Sequence, residues 1–257
     1  MCTCWDTRLQ RRVAIKRIPL LTSDDVSGAS ASTADEALAE ARTACLLAHP
    51  NIVTVYDFET DGTHAYLVME YVDGLNLAEL LARVEDGVLT HEECAHVLRS
   101  VAAALTYAHE NGVLHLDIKP TNIMIDRQGT VKLADFGMAT LASAAGYGGA
   151  RGGTVGYMPP EQIQGLLVDE RTDVFSLAVV TWQALTGRSP FASATPKGSL
   201  DAIIRGPKPP ISKLDLDLAP EAEMALLHAL SPTAAERTSS VKEFARGILP
   251  VLGDGAA

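Results

Sequence analysis

Asp117, Lys119, Asn122 and Asp135 are the residues whose types and spacing could carry chemistry. A carboxylate at Asp117 can accept or orient the proton of a substrate hydroxyl, provided it comes within hydrogen-bond reach. Lys119 lies two residues further on, and in an extended loop that spacing sets both side chains on the same side. Its ammonium can then neutralise negative charge that arrives beside the carboxylate. Asn122 supplies a neutral amide oxygen and Asp135 an anionic one, and hard cations such as Mg2+ take oxygen ligands.

These residues sit in the string His115-Leu116-Asp117-Ile118-Lys119-Pro120-Thr121-Asn122, followed by Asp135-Phe136-Gly137. The string resembles the catalytic loop H-R-D-x-x-x-x-N and the D-F-G triplet of protein kinases, with Leu116 where that family usually has Arg. The Asp-x-Lys pair is the serine/threonine form of the loop. The resemblance implies an α+β, two-lobed fold: a small, mainly antiparallel β lobe with one helix, and a larger, mainly α-helical lobe. It implies ATP and Mg2+ as cofactors, with Asn122 and Asp135 as metal ligands that clamp the β,γ-phosphates. It also implies protein substrates whose Ser or Thr hydroxyls receive the γ-phosphate.

Other segments extend the likeness. Val13-Ala14-Ile15-Lys16 resembles the family's V-A-I-K strand, with Lys16 pairing the α- and β-phosphates; taken alone, a lysine at a strand end is a solvated charge. Glu40, ahead of His49-Pro50-Asn51-Ile52-Val53, is the expected partner of Lys16, against the plain alternative of an exposed helix charge. Met69-Glu70-Tyr71-Val72 resembles the gatekeeper and hinge, where adenine would meet the Glu70 carbonyl and the Val72 N–H, leaving side-chain identity loosely constrained. Ala14 and Met124 would sandwich the ring, or serve simply as core. Gly153-Thr154-Val155-Gly156-Tyr157-Met158-Pro159-Pro160-Glu161 resembles the segment ending in A-P-E, with Thr154 bonding Asp117 and Lys119 and Pro159 replacing Ala. Asp173 resembles the residue that braces the catalytic loop, and as a helix opener it could also serve as a cap. Glu161 is expected to pair with Arg237. The likeness runs from about Arg11 to Leu249 and is closest to bacterial serine/threonine kinases.

Two departures qualify it. Fifteen residues precede Lys16 and none is Gly, so the family's Gly-rich hairpin is missing ahead of it; Cys2 to Asp6 resemble its second strand. A chain that starts late and a true loss of the phosphate cover both fit, and either weakens the grip on ATP. The alternative to an active kinase is therefore a catalytically impaired pseudokinase, a scaffold or binding module. At Leu116, a leucine cannot pair a phosphate, so control through a phosphorylated loop at Thr140, Ser143 or Tyr147 is not expected. Ala44 is small for its place and could leave the helix of Glu40 loosely held.

The elements that must hold these groups are legible in pattern. Residues 1–72 read as strands with one helix, over about 34–48 behind the capping box Thr33-x-x-Glu36. Strands are expected at 13–16, 52–56 and 65–69, with a turn at 60–62. Residues 73–252 read as helical, with 253–257 as a tail. Thr90-x-x-Glu93 caps a helix whose Ala95, Leu98, Val101, Ala102, Leu105 and Ala108 share a face, ended by Asn111-Gly112. The stretch from Asp173 to Thr186 is apolar on nearly every side, a buried central helix ended by Gly187. Pro220 opens another helix and Ser240-x-x-Glu243 the last.

Composition bounds the class. The chain has 257 residues, 47% hydrophobic and 21% charged, with a formal net charge of −11 that argues against nucleic-acid binding. The four cysteines lack framework spacing and fit free thiols in a reducing cytoplasm. Met1 to Asp6 carries no signal-peptide pattern, and no run reaches the roughly 20 apolar residues of a membrane span.

Overall fold

The computed structural model describes residues 1–19, 46–61, 63–136, 155–206 and 218–253. Four strands form the first layer: β1 (Cys2–Asp6), β2 (Arg11–Pro19), β3 (Val55–Thr60) and β4 (His64–Glu70), in the order β1-β2-β4-β3 and antiparallel throughout. Strict alternation in β4 makes Ala65, Leu67 and Met69 the buried face, as the two-residue repeat of a strand requires. The β2–β4 register sets Ala14 opposite Met69 and Lys16 opposite Leu67. Ala14, Val53, Leu67, Met69 and Ala134 close into a small core, with Val72 and Met124 packed against it.

The strand expected at 52–56 starts later, at Val55. The backbone before it is engaged elsewhere. Leu133 N–H donates to Asn51 O at 2.8 Å and Val53 N–H to Leu133 O at 2.9 Å, so Ile52 bridges Leu133 in parallel. The expected helix over 34–48 lies mostly outside the described residues, and its last three positions, 46–48, are turn and irregular backbone, not helix.

A second sheet of β5 (Gly74–Asn76), β6 (Ile123–Asp126) and β7 (Val131–Leu133) lies where the chain turns helical. The helical body comprises α1 (Leu77–Leu81), α2 (His91–Glu110), α3 (Pro160–Gln164), α4 (Glu170–Thr186), α5 (Pro196–Arg205), α6 (Pro220–Ala229) and α7 (Val241–Leu252), of which α1 and α2 make the main contacts with this sheet. Thr90 and Glu93 form the full capping box of α2, and the six residues expected on its buried face are all buried. Helix α4 is buried on nearly every side and ends at Gly187 with φ +72°. It begins three residues before Asp173, and Asp169 caps it. Asp173 is therefore not the cap, which frees its carboxylate for other backbone donors. Pro220 opens α6, and Ser240 caps α7 by accepting from Glu243 N–H. No described helix is long and apolar enough to cross a membrane. The small antiparallel β layer and the helical body form an α+β, two-lobed architecture.

Candidate active site

The catalytic-loop backbone is held from beneath by α4. Asp173, fully buried, accepts His115 N–H through Oδ2 and Leu116 N–H through Oδ1, both at 2.8 Å. Its Oδ2 also meets His109 Nε2 at 2.8 Å. A buried carboxylate is stable only when its lone pairs are met, and the loop's N–H groups meet them. His115 is buried too; its Nε2 lies 2.9 Å from Ala134 O, its Nδ1 accepts Asp117 N–H at 3.2 Å, and its ring meets Phe136 edge-on at 4.6 Å. One imidazole thus ties the loop that carries Asp117 to the strand exit that carries Asp135.

Lys119 Nζ donates to both Asp117 oxygens, at 2.9 and 2.7 Å. Asn122 Nδ2 donates to Asp117 O at 2.9 Å and Oδ2 at 3.1 Å. The predicted carboxylate, ammonium and amide are therefore one hydrogen-bonded cluster. Asn122 spends its nitrogen on Asp117, so its oxygen is the atom of ligand type. Ala134 N–H donates to Asn122 O at 2.8 Å, which sets the Asn122 turn beside Asp135.

Lys16 reaches across from the sheet, with its Nζ 2.8 Å from Asp135 Oδ2. The other oxygen, Asp135 Oδ1, is buried and has no hydrogen-bond partner among the described residues. An unpaired buried carboxylate oxygen is costly, and a divalent cation would satisfy it. The donor set of Asp135 and Asn122 is all oxygen, as Mg2+ requires. No group of three or more acidic, His or Cys side chains is assembled among the described residues. Mg2+ takes one or two protein ligands and completes its shell with phosphate and water.

Ala14 and Met69 belong to the same small core and Val72 and Met124 pack against it, so these four expected site residues meet at one cluster. The Glu70 side chain is more constrained than expected. It accepts Lys132 Nζ at 3.0 Å and Thr54 N–H at 3.3 Å, and so ties the hinge to β7. Glu40 and Thr154 lie outside the described residues, as do Thr140, Ser143, Tyr147 and Ala44.

Glu161 and Arg237 pair as expected, through contacts of 2.6 and 3.0 Å, with Thr172 Oγ1 donating to the same carboxylate at 3.0 Å. Burial pushes the Glu161 carboxyl up, but the guanidinium and the hydroxyl outweigh it and hold it below its ordinary value. Burial also raises the Tyr157 hydroxyl, which Gln183 partly offsets.

The match to a family is broad. The protein kinase domain model covers residues 1–251. The chain belongs to the protein kinase family. This kinase domain is 36% identical over 220 residues to the serine/threonine-protein kinase PknB of Mycolicibacterium smegmatis. It is 40% identical over 154 residues to PrkC of Bacillus subtilis. The PknB match takes in 82% of this chain and 35% of PknB, so the chain spans about a third of that relative's length. The solved kinase domain of PknI from Mycobacterium tuberculosis covers 95% of this chain at 29% identity and a TM-score of 0.72; 86% of that structure is covered. Rad53, solved with AMP-PNP, superposes over 98% of this chain and 61% of its own at a TM-score of 0.77 and 23% identity, a likeness of fold.

Sequence reasoning passed over Lys132, His109 and Gln162 in this kinase domain. Lys132 carries one faint signal, a lone charge between the buried Val131 and Leu133. His109 and Gln162 carry none, because each acts on backbone atoms or a carboxylate far along the chain.

Proposed function

We propose that this domain transfers the γ-phosphate of ATP to Ser or Thr hydroxyls of proteins. The observation that carries the reading is the state of Asp135: one oxygen on Lys16, the other buried and unpaired, beside a turn whose Asn122 already holds Asp117. In this reading the ring of ATP sits between Ala14 and Met124 at the Met69–Val72 hinge. Lys16 holds the phosphates, assisted by Glu40. Asn122 and Asp135 would hold Mg2+, which would supply charge neutralisation on the phosphates.

Asp117 orients the incoming hydroxyl and accepts its proton. Lys119, bonded to both Asp117 oxygens in this structure, is placed to meet the negative charge of the transferring group. Thr154 completes the hydroxyl side by bonding Asp117 and Lys119. The Asp-x-Lys arrangement and the bacterial serine/threonine relatives support hydroxyl substrates on proteins over small molecules. The join between the lobes is placed at 72/73, at the end of the hinge. The net charge of −11 supports protein over nucleic-acid partners.

The test is transfer of labelled γ-phosphate to a generic protein substrate, with Asp117→Asn and Asp135→Asn alongside. Asp117→Asn should lose transfer by at least about a hundredfold while retaining nucleotide. Asp135→Asn should lose the Mg2+ dependence of nucleotide binding. Equal transfer by Asp117→Asn and the unmodified protein would sink the catalytic assignment, and no transfer by the unmodified protein would favour a kinase-like scaffold.

A further inference from the structure

Leu116 stands at φ +63°, in the left-handed region that a γ-branched residue avoids. It also stands immediately before Asp117, so the peptide plane between them sets the direction from which the Asp117 carboxylate is aimed. That plane is gripped at both ends. Its N–H, on Asp117, donates to His115 Nδ1 at 3.2 Å. Its C=O, on Leu116, accepts Gln162 Nε2 at 2.9 Å. Asp173 holds the preceding N–H, on Leu116, at 2.8 Å. A flip of the Leu116–Asp117 peptide would turn ψ of Leu116 and φ of Asp117 and so re-aim the carboxylate, and it would break the His115 and Gln162 bonds together.

Gln162 comes from a different part of the chain than the other grips. It lies on α3, whose neighbour Glu161 is locked to Arg237 and Thr172 inside the helical body. The glutamine is therefore delivered from a fixed platform, and its amide reaches the Leu116 carbonyl from 46 residues along the chain. The Leu116 side chain cannot form an ion pair, so this residue is tied to the α3 segment through its backbone.

We infer that Gln162 is a positioning residue for phosphoryl transfer: it holds the Leu116–Asp117 peptide in the orientation that aims Asp117. This rests on Asp117 acting as the orienting base. It adds a donor outside the catalytic loop on which the loop's geometry depends. Asp173 holds the peptide before Leu116 and so its φ, whereas Gln162 holds the peptide after it and so the approach to Asp117.

The variant Gln162→Met keeps the side-chain length and removes the donor. Its kcat for a peptide substrate should fall roughly threefold to tenfold, the size of one net hydrogen bond. KM for ATP should stay within about twofold of the unmodified domain, because it does not depend on where Asp117 points, and the Tm should fall by about 1–6 °C, the cost of the same bond. A kcat for Gln162→Met within twofold of the unmodified domain overturns the inference. So does a kcat loss matched by an equal loss of ATP affinity, which would make Gln162 merely structural. Asp117→Asn in the same assay separates the two levels: transfer retained there removes the base assignment itself and the inference with it. Transfer lost there with Gln162→Met unchanged removes the inference alone.

Discussion

Removing the guanidinium of Arg237 should be among the most damaging single changes in the helical body. The Arg237 side chain is 0% exposed and that of Glu161 7%. Its nitrogens bond Glu161 at 2.6 and 3.0 Å, Arg171 O at 2.8 Å and Ser231 O at 3.0 Å, and its plane lies 5.0 Å from the Phe175 centroid. Arg237→Met removes the cation and leaves a carboxylate in the interior with Thr172 as its remaining side-chain donor. Breaking a buried pair from one side costs about 3–5 kcal/mol, because the surviving charge is neither hydrated nor paired. For a domain of this size each kcal/mol lowers Tm by about 2–4 °C. The expected drop is therefore about 6–20 °C, read by calorimetry or intrinsic fluorescence. The double variant Glu161→Gln/Arg237→Met removes the stranded charge as well and should recover a large part of the loss. A drop below about 2 °C for Arg237→Met, or a double variant less stable than the single one, would refute the reasoning.

The remaining expectations can be checked one by one. Glu161 has a folded pKa held below its ordinary value of 4.5, so its contribution is complete above that value and is lost as pH falls through the lowered one; Tm measured against pH should fall less steeply below that point in Glu161→Gln than in the unmodified domain. Lys132→Met should release Glu70 from its 3.0 Å contact and loosen the hinge, raising KM for ATP roughly threefold to tenfold with a smaller change in kcat; an unchanged KM refutes the brace. Gly187→Ala should cost about 2–4 kcal/mol by urea titration, since φ is +72° and an added Cβ would meet Asp86 O at 2.2 Å. Burial pushes the Cys94 thiol up to about 12, so iodoacetamide near neutral pH should label the exposed Cys2 and spare Cys94 until urea is added; peptide mapping reads the difference, and early labelling of Cys94 would contradict its burial.

What the sequence determined by itself was the set of local patterns and the chemistry of the motif residues. The capping box at Thr90, the buried face of α2, the stop at Gly187 and the opening of α6 at Pro220 follow from short-range rules of spacing and backbone freedom. Asp117, Lys119 and Asn122 were legible as a group because they share one short loop, and the structure brings them into one cluster. The Glu161–Arg237 pair was legible only through a resemblance, since no local rule joins residues so far apart.

Tertiary structure decided the rest. A start for β3 at Val55 could not be read from the apolar run at 52–56, because β7 takes the backbone of Asn51 and Val53. Asp173 could be mistaken for a cap because its partners, the N–H groups of His115 and Leu116, lie on another element. The Glu70 side chain gained its role when folding brought Lys132 beside it. The left-handed Leu116 is the clearest case. Nothing in the letter Leu asks for φ +63°; the grip of Asp173, on α4, on its N–H holds it there. Sequence fixes which groups a chain carries and the helices and turns its neighbours allow; long-range packing alone fixes which buried donor meets which acceptor, because an unmet one costs too much to keep.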